Sequence, residues 1–294
     1  MGHNCEAKLT YRRGAFVRIP SQSFLMGSNE FYPEEGPVVE RKVSTFQVAT
    51  RPVTNSDFLQ FVESTGYVTT AEQPFDLGVG SHTGGSLCFR PSTEPVDLSD
   101  WTNWWVWTPG ANWRQPLGAG SEIGGIMDHP VVHVSHIDAL AFCDWSGTRL
   151  MTEVEWECAA RGGLEGKRFA WGDEYLVDGE LMANSWQGRF PYLNYGAKGY
   201  MGTSPVGTFP PNGFGLYDMT GNVWEWTSSQ WKGSHESHCD CSPKLEDDLQ
   251  EMWVVKGGSH LCAPEYCIRY RPAARSSQET ASSTSHIGFR VAKN

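Results

Sequence analysis

Three short helices are predicted by apolar residues spaced three and four positions apart behind a common start signal. Each start places Ser or Thr three residues before an acidic residue, as in a capping box. The pairs are Thr54 with Asp57, Ser135 with Asp138, and Thr152 with Glu155. Glycine then stands where a C-terminal cap would end each helix. These glycines are Gly66, Gly147 and Gly162.

Strand signals are sparse and lie mainly near the ends of the chain. Residues 15–19 and 23–27 are largely apolar segments on either side of residues 20–22, which predicts a β-hairpin. Gly288–Ala292 predicts another strand near the C-terminus. Residues 129–135 alternate around two valines and also predict a strand.

A long segment, 72–126, is rich in glycine, proline and tryptophan and has no regular period. Its tryptophans are Trp101, Trp104, Trp105, Trp107 and Trp113. They could line a peptide-binding groove. Packing is the favoured interpretation, because aromatic side chains supply much buried area where regular structure is scarce. No internal repeat, low-complexity tract or interdomain linker is visible.

The charge of the chain excludes one class of function. The net charge is −11, whereas binding to nucleic acid requires a basic face that displaces counterions. An acidic protein could instead attract a basic segment of a partner. No apolar run approaches the roughly 20 residues needed to span a bilayer, and no signal peptide is recognisable. We therefore expect a soluble, cytoplasmic monomer without membrane or nucleic-acid partners.

The candidate chemistry is concentrated in the C-terminal run, where Cys262 and Cys267 are five positions apart. This spacing alone is compatible with a disulfide, half a zinc site, a redox couple or two core thiols. No second Cys/His pair at suitable spacing completes a four-ligand zinc site. Two thiolates without hard ligands would suit Cu(I). From the pair alone, a disulfide or core packing is favoured over a metal.

Other histidines and cysteines give weaker signals. His129, His133 and His136 look like a metal cluster, but structural roles are favoured because their segment predicts a strand. Cys143 and Cys158 lie in predicted helices, where buried free thiols are expected. A polar insertion holds a more suggestive set, for which a mobile loop is favoured over a metal site or a disulfide. That set is His235, His238, Cys239 and Cys241.

The surroundings of the cysteine pair resemble a known family. The run from Lys256 to Arg275, followed by Gly288-Phe289-Arg290, resembles the C-terminal signature of formylglycine-generating enzymes. Further matches occur in the right order along nearly the whole chain. They include Gly14-Ala15-Phe16, Met26-Gly27, Pro52-Val53-Thr54-Asn55, Gly66-Tyr67-Val68-Thr69, His129-Pro130, Arg149-Leu150, Trp171-Gly172, Asn184-Ser185-Trp186 and Gly221-Asn222-Val223-Trp224-Glu225-Trp226.

The resemblance implies a fold and a catalytic site. The fold is a single α+β domain of the sulfatase-modifying factor type, a variant C-type-lectin-like fold with little regular secondary structure. The domain is expected over residues 12–294, after an N-terminal extension, 1–11. Cys262 and Cys267 would be the active-site pair that holds Cu(I). Ser259 would lie near the copper pair, and Trp224 would lie beside the oxygen pocket.

The implied activity is copper-dependent oxidation of a protein cysteine. The substrate would be an unfolded sulfatase polypeptide with a Cys-x-Pro-x-Arg motif, whose cysteine becomes Cα-formylglycine with O2 and a thiol reductant. The alternative is a noncatalytic peptide- or protein-binding module of the same fold. The retained Cys262 and Cys267 distinguish the two hypotheses, since a pure binder would not need them.

The resemblance also implies two calcium sites, because hard oxygen ligands are what Ca²⁺ prefers. The ligands of the first would be the Asp218 and Glu225 side chains and the Gly221 and Val223 carbonyls. Those of the second would be Asn184, the carbonyls of Ser185 and Tyr200, and residue 198. Residue 198 is lysine here, where many relatives have aspartate, so we expect this site to be weakened or absent. The Lys198 ammonium could instead donate to the same oxygens.

Overall fold

The computed structural model describes residues 15–76, 81–235 and 251–294. Its helices are α1 Asn55–Thr65, α2 His136–Ser146 and α3 Glu153–Arg161, with single 3₁₀ turns at Pro33–Glu35, Thr70–Glu72 and Trp101–Asn103. Its strands are β1 Phe16–Ile19, β2 Gln22–Met26, β3 Val39–Val43, β4 Phe46–Ala49, β5 Phe75–Asp76, β6 Ser81–His82, β7 Gly85–Phe89, β8 Trp105–Pro109, β9 Leu176–Val177, β10 Glu180–Leu181, β11 Gly188–Arg189, β12 Leu193–Asn194, β13 Trp224–Gln230, β14 Met252–Lys256, β15 Arg275–Glu279, β16 Ile287–Phe289 and β17 Ala292–Lys293. The predicted α+β organisation with little regular structure is confirmed.

The three helices begin and end as their sequence signals predict. At each start, the Ser or Thr hydroxyl accepts a hydrogen bond from the backbone N–H three residues on, and the acidic side chain accepts one from the N-cap N–H. At each end, the predicted glycine adopts a left-handed conformation, with φ of 69°, 64° and 60°. All three capping boxes and all three glycine caps are confirmed, because these signals act within a few residues of chain.

The predicted hairpin near the N-terminus is wrong, although both of its strands exist. β1 pairs with β4 in a three-stranded sheet completed by β17, whereas β2 pairs with β3. The two residues between them, Pro20 and Ser21, do not provide the positive φ values that two-residue hairpin turns require. The chain therefore crosses from one sheet to another at this point.

The predicted C-terminal strand is divided between two sheets. β16 runs parallel to β13, while β17 pairs antiparallel with β4. Arg290 lies between them, fully buried, and its guanidinium donates to Glu225 and to the carbonyls of Ala49 and Tyr217. This set of bonds interrupts the strand.

Residues 129–135 do not form the predicted strand, since only Pro130 makes a β-bridge, to Thr54. His133 has a positive φ of 59°. The histidine side chains are separately bonded: His133 Nε2 donates to the Pro116 carbonyl at 2.8 Å, and His136 Nε2 donates to the Thr227 carbonyl at 3.0 Å. Among residues 15–76, 81–235 and 251–294, no group of three or more His, Cys, Asp or Glu side chains could hold a metal. The structural roles predicted for these histidines agree with this geometry.

The tryptophans of residues 72–126 divide between core and surface. Trp104 and Trp113 are fully buried, whereas Trp101 and Trp107 are 54% and 44% exposed. Packing therefore explains only part of the set. Predictions for residues 1–11 and for His238, Cys239 and Cys241 lie outside the described residues. In the described part of the chain, no helix is long and apolar enough to cross a membrane.

The buried histidines should make the protein sensitive to mild acid. Burial lowers the pKa of both His133 and His260 to about 4, below the ordinary histidine value. The unfolded chain therefore binds more protons than the folded protein between pH 6.5 and 4, so stability falls as pH falls through this window. Each such histidine should cost about 2 kcal/mol of unfolding free energy between pH 6.5 and 5.

Urea unfolding at pH 7, 6 and 5 measures this loss. The variant His133→Gln should show a smaller decline in unfolding free energy over that range than the parent protein. Most carboxylates titrate below about pH 5, so they contribute little to the slope in this window. An equal pH slope in the parent and the variant would contradict the assignment to His133.

Candidate active site

The two cysteines lie on a loop, 257–274, that leaves β14 and returns into β15. Lys256 and Arg275 face each other at its base as the last pair of the two strands. The loop opens with Gly257 and Gly258, both at positive φ, 90° and 70°. A Cβ on Gly258 would lie 2.5 Å from the carbonyl carbon of Arg269, so the loop can close on itself only with glycine there.

Cys262 and Cys267 meet within this loop as free thiols. Cys262 is buried, whereas Cys267 is partly exposed. A hydrogen bond from the Cys267 thiol is the main cause that lowers the pKa of Cys262. The same hydrogen bond, together with burial, raises the pKa of Cys267 well above its ordinary value. The two pKa values therefore move in opposite directions, which makes Cys262 the more acidic thiol of the pair.

Short backbone turns hold both sulfurs in place. The Cys262 N–H donates to the Ser259 carbonyl at 3.0 Å, and the Cys267 N–H donates to the Ala263 carbonyl at 2.8 Å. The Ser259 N–H in turn donates to Cys262 Sγ at 3.4 Å. This main-chain contact places Ser259 beside Cys262, whereas its role near copper stays a prediction. Its hydroxyl accepts a hydrogen bond from the Leu261 N–H at 3.2 Å.

Two tyrosines that no sequence motif pointed to complete the surroundings of the thiols. The Tyr266 ring stacks on Phe190, with centroids 4.5 Å apart, and burial followed by the negative charges of the cysteines raises its pKa to about 12. Tyr270 packs with Cys262 in one apolar cluster, and its buried hydroxyl has no hydrogen-bond partner. Both phenols are therefore neutral near pH 7. Their closeness to Cys267 in the sequence could have pointed to these tyrosines, since Tyr266 directly precedes Cys267 and Tyr270 follows it by three residues.

Trp224 packs in a different apolar cluster from the two thiols. It is 6% exposed and belongs to the large core cluster with Phe289, not to the cluster that contains Cys262 and Cys267. Its backbone N–H donates to the His286 carbonyl at 2.9 Å. A role for Trp224 beside an oxygen pocket stays a prediction.

The residues predicted for the first calcium site are unequal as ligands. Asp218 is 7% exposed, and its Oδ1 atom has no hydrogen-bond partner, so this oxygen is available as a cation ligand. Burial is the main cause that raises the pKa of Asp218 to about 6. Glu225 is differently placed, since it accepts hydrogen bonds from Arg290 and from Trp156 Nε1, the latter at 2.7 Å. Asp218 therefore fits a cation ligand better than Glu225 does.

The second predicted calcium site retains one suitable oxygen. Asn184 is 1% exposed, and its Oδ1 atom also has no hydrogen-bond partner. The Lys198 ammonium lies 3.4 Å from the Thr208 carbonyl and over the Phe209 ring, rather than on Asn184. The Lys198 ammonium therefore does not take the place of calcium at the Asn184 oxygen. The weakening of the site through the loss of a carboxylate at residue 198 stays a prediction.

Comparison with known proteins places this geometry in a family. Residues 4–294 match the Sulfatase-modifying factor enzyme 1-like domain. The formylglycine-generating enzyme of Mycobacterium tuberculosis is 53% identical over 287 residues, covering 93% of this chain and 96% of that protein. The formylglycine-generating enzyme of Mus musculus is 44% identical over 279 residues, covering 94% and 74%.

A solved structure gives the same result for the fold. PvdO from Pseudomonas aeruginosa superposes with a TM-score of 0.62 at 26% identity, covering 95% of this chain and 94% of that one. The loop-rich α+β fold described above agrees with these similarities. The chain therefore belongs to the sulfatase-modifying factor family, which includes the formylglycine-generating enzymes.

Proposed function

We propose that this chain is a formylglycine-generating enzyme that acts on an unfolded sulfatase polypeptide. It would oxidise the cysteine of a Cys-x-Pro-x-Arg segment to Cα-formylglycine. The observation that carries the proposal is the pair of hydrogen-bonded free thiols, Cys262 and Cys267, with one sulfur partly open to solvent. The names of the similar proteins from Mycobacterium tuberculosis and Mus musculus support the same activity.

The reaction requires an oxidant and a reductant in addition to the peptide. One O2, two electrons and two protons convert the cysteine side chain to an aldehyde, with release of hydrogen sulfide and water. A thiol reductant would supply the electrons as it becomes a disulfide. The formal charge of the protein suits the arginine of the motif, since a net charge of −11 attracts basic segments.

The donor set at the thiols fits a soft monovalent metal. No third His, Cys, Asp or Glu joins Cys262 and Cys267 in a metal-binding group within the described ranges. Soft thiolates without hard ligands select Cu(I) over the divalent metals that prefer oxygen. Cys262 and Cys267 would hold the ion, and bound copper would supply the O2 and one-electron chemistry that protein side chains lack.

The chain's own residues would hold and shield the reacting sulfur. Cys262 is held by the Ser259 N–H in the interior, whereas Cys267 is partly exposed and shares its loop with the exposed Pro264 and Glu265, where a peptide would approach. The apolar cluster that contains Cys262, Phe169 and Tyr270 buries the inner sulfur, and this burial would strengthen the electrostatic interactions there. The Tyr266 phenol, which stays neutral near pH 7 and precedes Cys267 in the chain, would be available as a hydrogen-bond donor at the site.

Thiol titration distinguishes this proposal from a structural disulfide and from a pure binding module. In unreduced protein, Cys262 and Cys267 should both react with a thiol reagent under mild denaturation. Addition of Cu(I) should protect two thiols, and Cys262→Ser should remove that protection. A disulfide between the two cysteines in the unreduced protein, or no protection by Cu(I), would overturn the metal assignment.

We also propose a calcium ion at Asp218 that stabilises the folded protein. A buried carboxylate oxygen without a partner is costly, and a cation bound only by the folded state raises stability by mass action. At a calcium concentration 100 times the dissociation constant, the gain should be about 2.7 kcal/mol. Asp218→Asn should abolish the rise in melting temperature that calcium produces in metal-free buffer.

The exposed Asp144 provides the matched control. Asp144→Asn makes the same chemical change at the surface and should leave the calcium-dependent rise intact. If calcium leaves the melting temperature of the parent protein unchanged, the site is not functional.

A further inference from the structure

The base of the cysteine loop is held by two buried ion pairs on one helix. Lys256 Nζ lies 2.9 Å from Glu157 Oε2, and Arg275 Nε lies 2.7 Å from Glu153 Oε1. The two glutamates are one turn apart on α3, and the four side chains are at most 9% exposed. Breaking a buried pair costs several kcal/mol, because the remaining charge loses its partner. The loop therefore begins and ends at fixed points.

The far part of the loop is held by the consecutive acids of the 3₁₀ turn Pro33–Glu35. Arg271 binds Glu35 through two hydrogen bonds, of 2.7 and 2.6 Å, with both side chains at most 1% exposed. Arg269 binds Glu34 Oε1 through one bond of 2.8 Å, and these side chains are 19% and 24% exposed. The buried Arg271–Glu35 pair thus stabilises the folded loop, whereas the partly exposed Arg269–Glu34 pair lies at the margin of the active site.

Arg269 has three further contacts that connect Cys267 to the surrounding structure. Its Nη1 donates to the Arg275 carbonyl at 2.7 Å, so the side chain reaches the base of the loop. Its guanidinium lies 3.8 Å from the centroid of the Tyr32 ring. Its backbone N–H donates to the Cys267 carbonyl at 2.8 Å. A single residue thereby joins the turn that carries Cys267, through its backbone, to the loop base and to the 33–35 turn, through its side chain.

The two sulfurs differ in how firmly other groups hold them. Cys262 is 2% exposed and receives a hydrogen bond on its sulfur from the Ser259 N–H. Cys267 is partly exposed, and its backbone is held through Ala263 and Arg269. Arg269 contacts both halves of the pair, since its backbone N–H donates to the Cys267 carbonyl and also lowers the pKa of Cys262, so the spacing of the two sulfurs depends on where Arg269 lies.

We propose that Arg269, held by Glu34, is a positioning residue that fixes the separation of the Cys267 sulfur from the Cys262 sulfur. Its catalytic consequence rests on the proposed function, because a two-thiolate metal site tolerates little change in the distance between its ligands. The effect of Arg269 on the spacing of the two sulfurs does not depend on the proposed function. Two thiols held side by side have a high effective concentration toward each other, and a loosened turn lowers it.

Two measurements test the separation of the sulfurs without relying on turnover. The first is the equilibrium between the Cys262–Cys267 dithiol and its disulfide in a glutathione buffer, where oxidation of the two thiols reduces one glutathione disulfide to two glutathiones. The second is Cu(I) affinity by competition with a chelator. Arg269→Gln and Glu34→Gln should each lower the disulfide-forming constant about tenfold and weaken Cu(I) binding at least as much. Arg269→Lys should lower both constants as Arg269→Gln does. A lysine ammonium cannot reproduce the two guanidinium nitrogens that donate separately to the Arg275 carbonyl and to Glu34.

Arg168 provides the matched control on the same face of the protein. It lies 3.6 Å from Glu30, and its guanidinium is 5.4 Å from the Phe31 ring, with both charged side chains well exposed. Arg168→Gln therefore removes a comparable cation–carboxylate and cation–ring contact that involves neither Arg269 nor Glu34. It should leave the disulfide equilibrium, Cu(I) affinity and turnover within twofold of the parent protein.

The outcomes separate this inference from the proposed function. Unchanged disulfide and Cu(I) equilibria in folded Arg269→Gln would overturn the positioning role. A raised KM with unchanged kcat and an unchanged disulfide equilibrium would do the same, since Arg269 would then contact substrate. If Arg269→Gln does not fold, Glu34→Gln, which retains the arginine, decides by the same equilibria. If the parent protein neither binds Cu(I) nor converts peptide, the proposed function fails, while the disulfide equilibrium still decides the role of Arg269.

Discussion

Replacement of Cys262 or Cys267 by serine is expected to abolish tight Cu(I) binding and to lower peptide conversion by roughly three orders of magnitude or more. Serine keeps the approximate size but replaces a soft, ionisable thiol by a hydroxyl that is neutral near pH 7. The two losses should not add, because one remaining thiol cannot form the two-ligand site. The fold should remain, since the loop is held mainly by glycine turns and by ion pairs outside the cysteines.

The helical cysteines provide matched controls for this result. Burial is the main cause that raises the pKa of Cys143 to about 12 and that of Cys158 to about 11, so both remain protonated near pH 7. Cys143→Ser and Cys158→Ser should lower the melting temperature while Cu(I) affinity stays at the parent value. Cu(I) competition, turnover and melting curves for all four variants make the comparison. Full copper affinity and activity in both Cys262→Ser and Cys267→Ser would refute the metal site.

Gly258→Ala should be among the most damaging single substitutions in the chain. The added Cβ would lie 2.5 Å from the Arg269 carbonyl carbon and 2.8 Å from the Tyr270 nitrogen, which are backbone atoms that cannot rotate away. Its φ of 70° adds the cost of a left-handed conformation. We expect a loss of about 2–5 kcal/mol in unfolding free energy and, in any folded fraction, weaker Cu(I) binding, because the cysteine loop must shift.

Gly147→Ala isolates the backbone part of this cost. Gly147 also has a left-handed φ, 64°, but a Cβ there meets no atom within 4 Å. The control should therefore lose only about 1 kcal/mol and keep its copper affinity. Urea unfolding and Cu(I) competition on both variants give the comparison. Equal stability losses in the two variants would show that the close approach of Gly258 to Arg269 does not matter.

Local features of the fold could be predicted from the sequence because their causes are local. The capping boxes and glycine caps involve residues three to twelve positions apart, and all were confirmed. The cysteine pair could be found because both thiols lie on one short loop. Its assignment to copper came from the resemblance, since spacing alone left a disulfide and core packing open.

Long-range partners could not be predicted, because the folded sheets decide which distant residues meet. β1 and β2 have strand-like sequences, but their pairing with β4 and β3 depends on where those strands lie. The bond between Arg269 and Glu34 joins residues 235 positions apart, and no periodic pattern connects them. The bond between Glu225 and Arg290 could not be predicted for the same reason, because the two residues are 65 positions apart.

The conversion of a peptide cysteine is the most direct test of the central claim. Copper-loaded protein would be incubated with a Cys-x-Pro-x-Arg peptide, O2 and a thiol reductant, and the product analysed by mass spectrometry and by reaction with an aldehyde probe. We expect the mass change from cysteine to formylglycine, dependent on O2 and absent in Cys262→Ser and Cys267→Ser. An unchanged peptide, under conditions in which a known formylglycine-generating enzyme converts it fully, would contradict the proposed function.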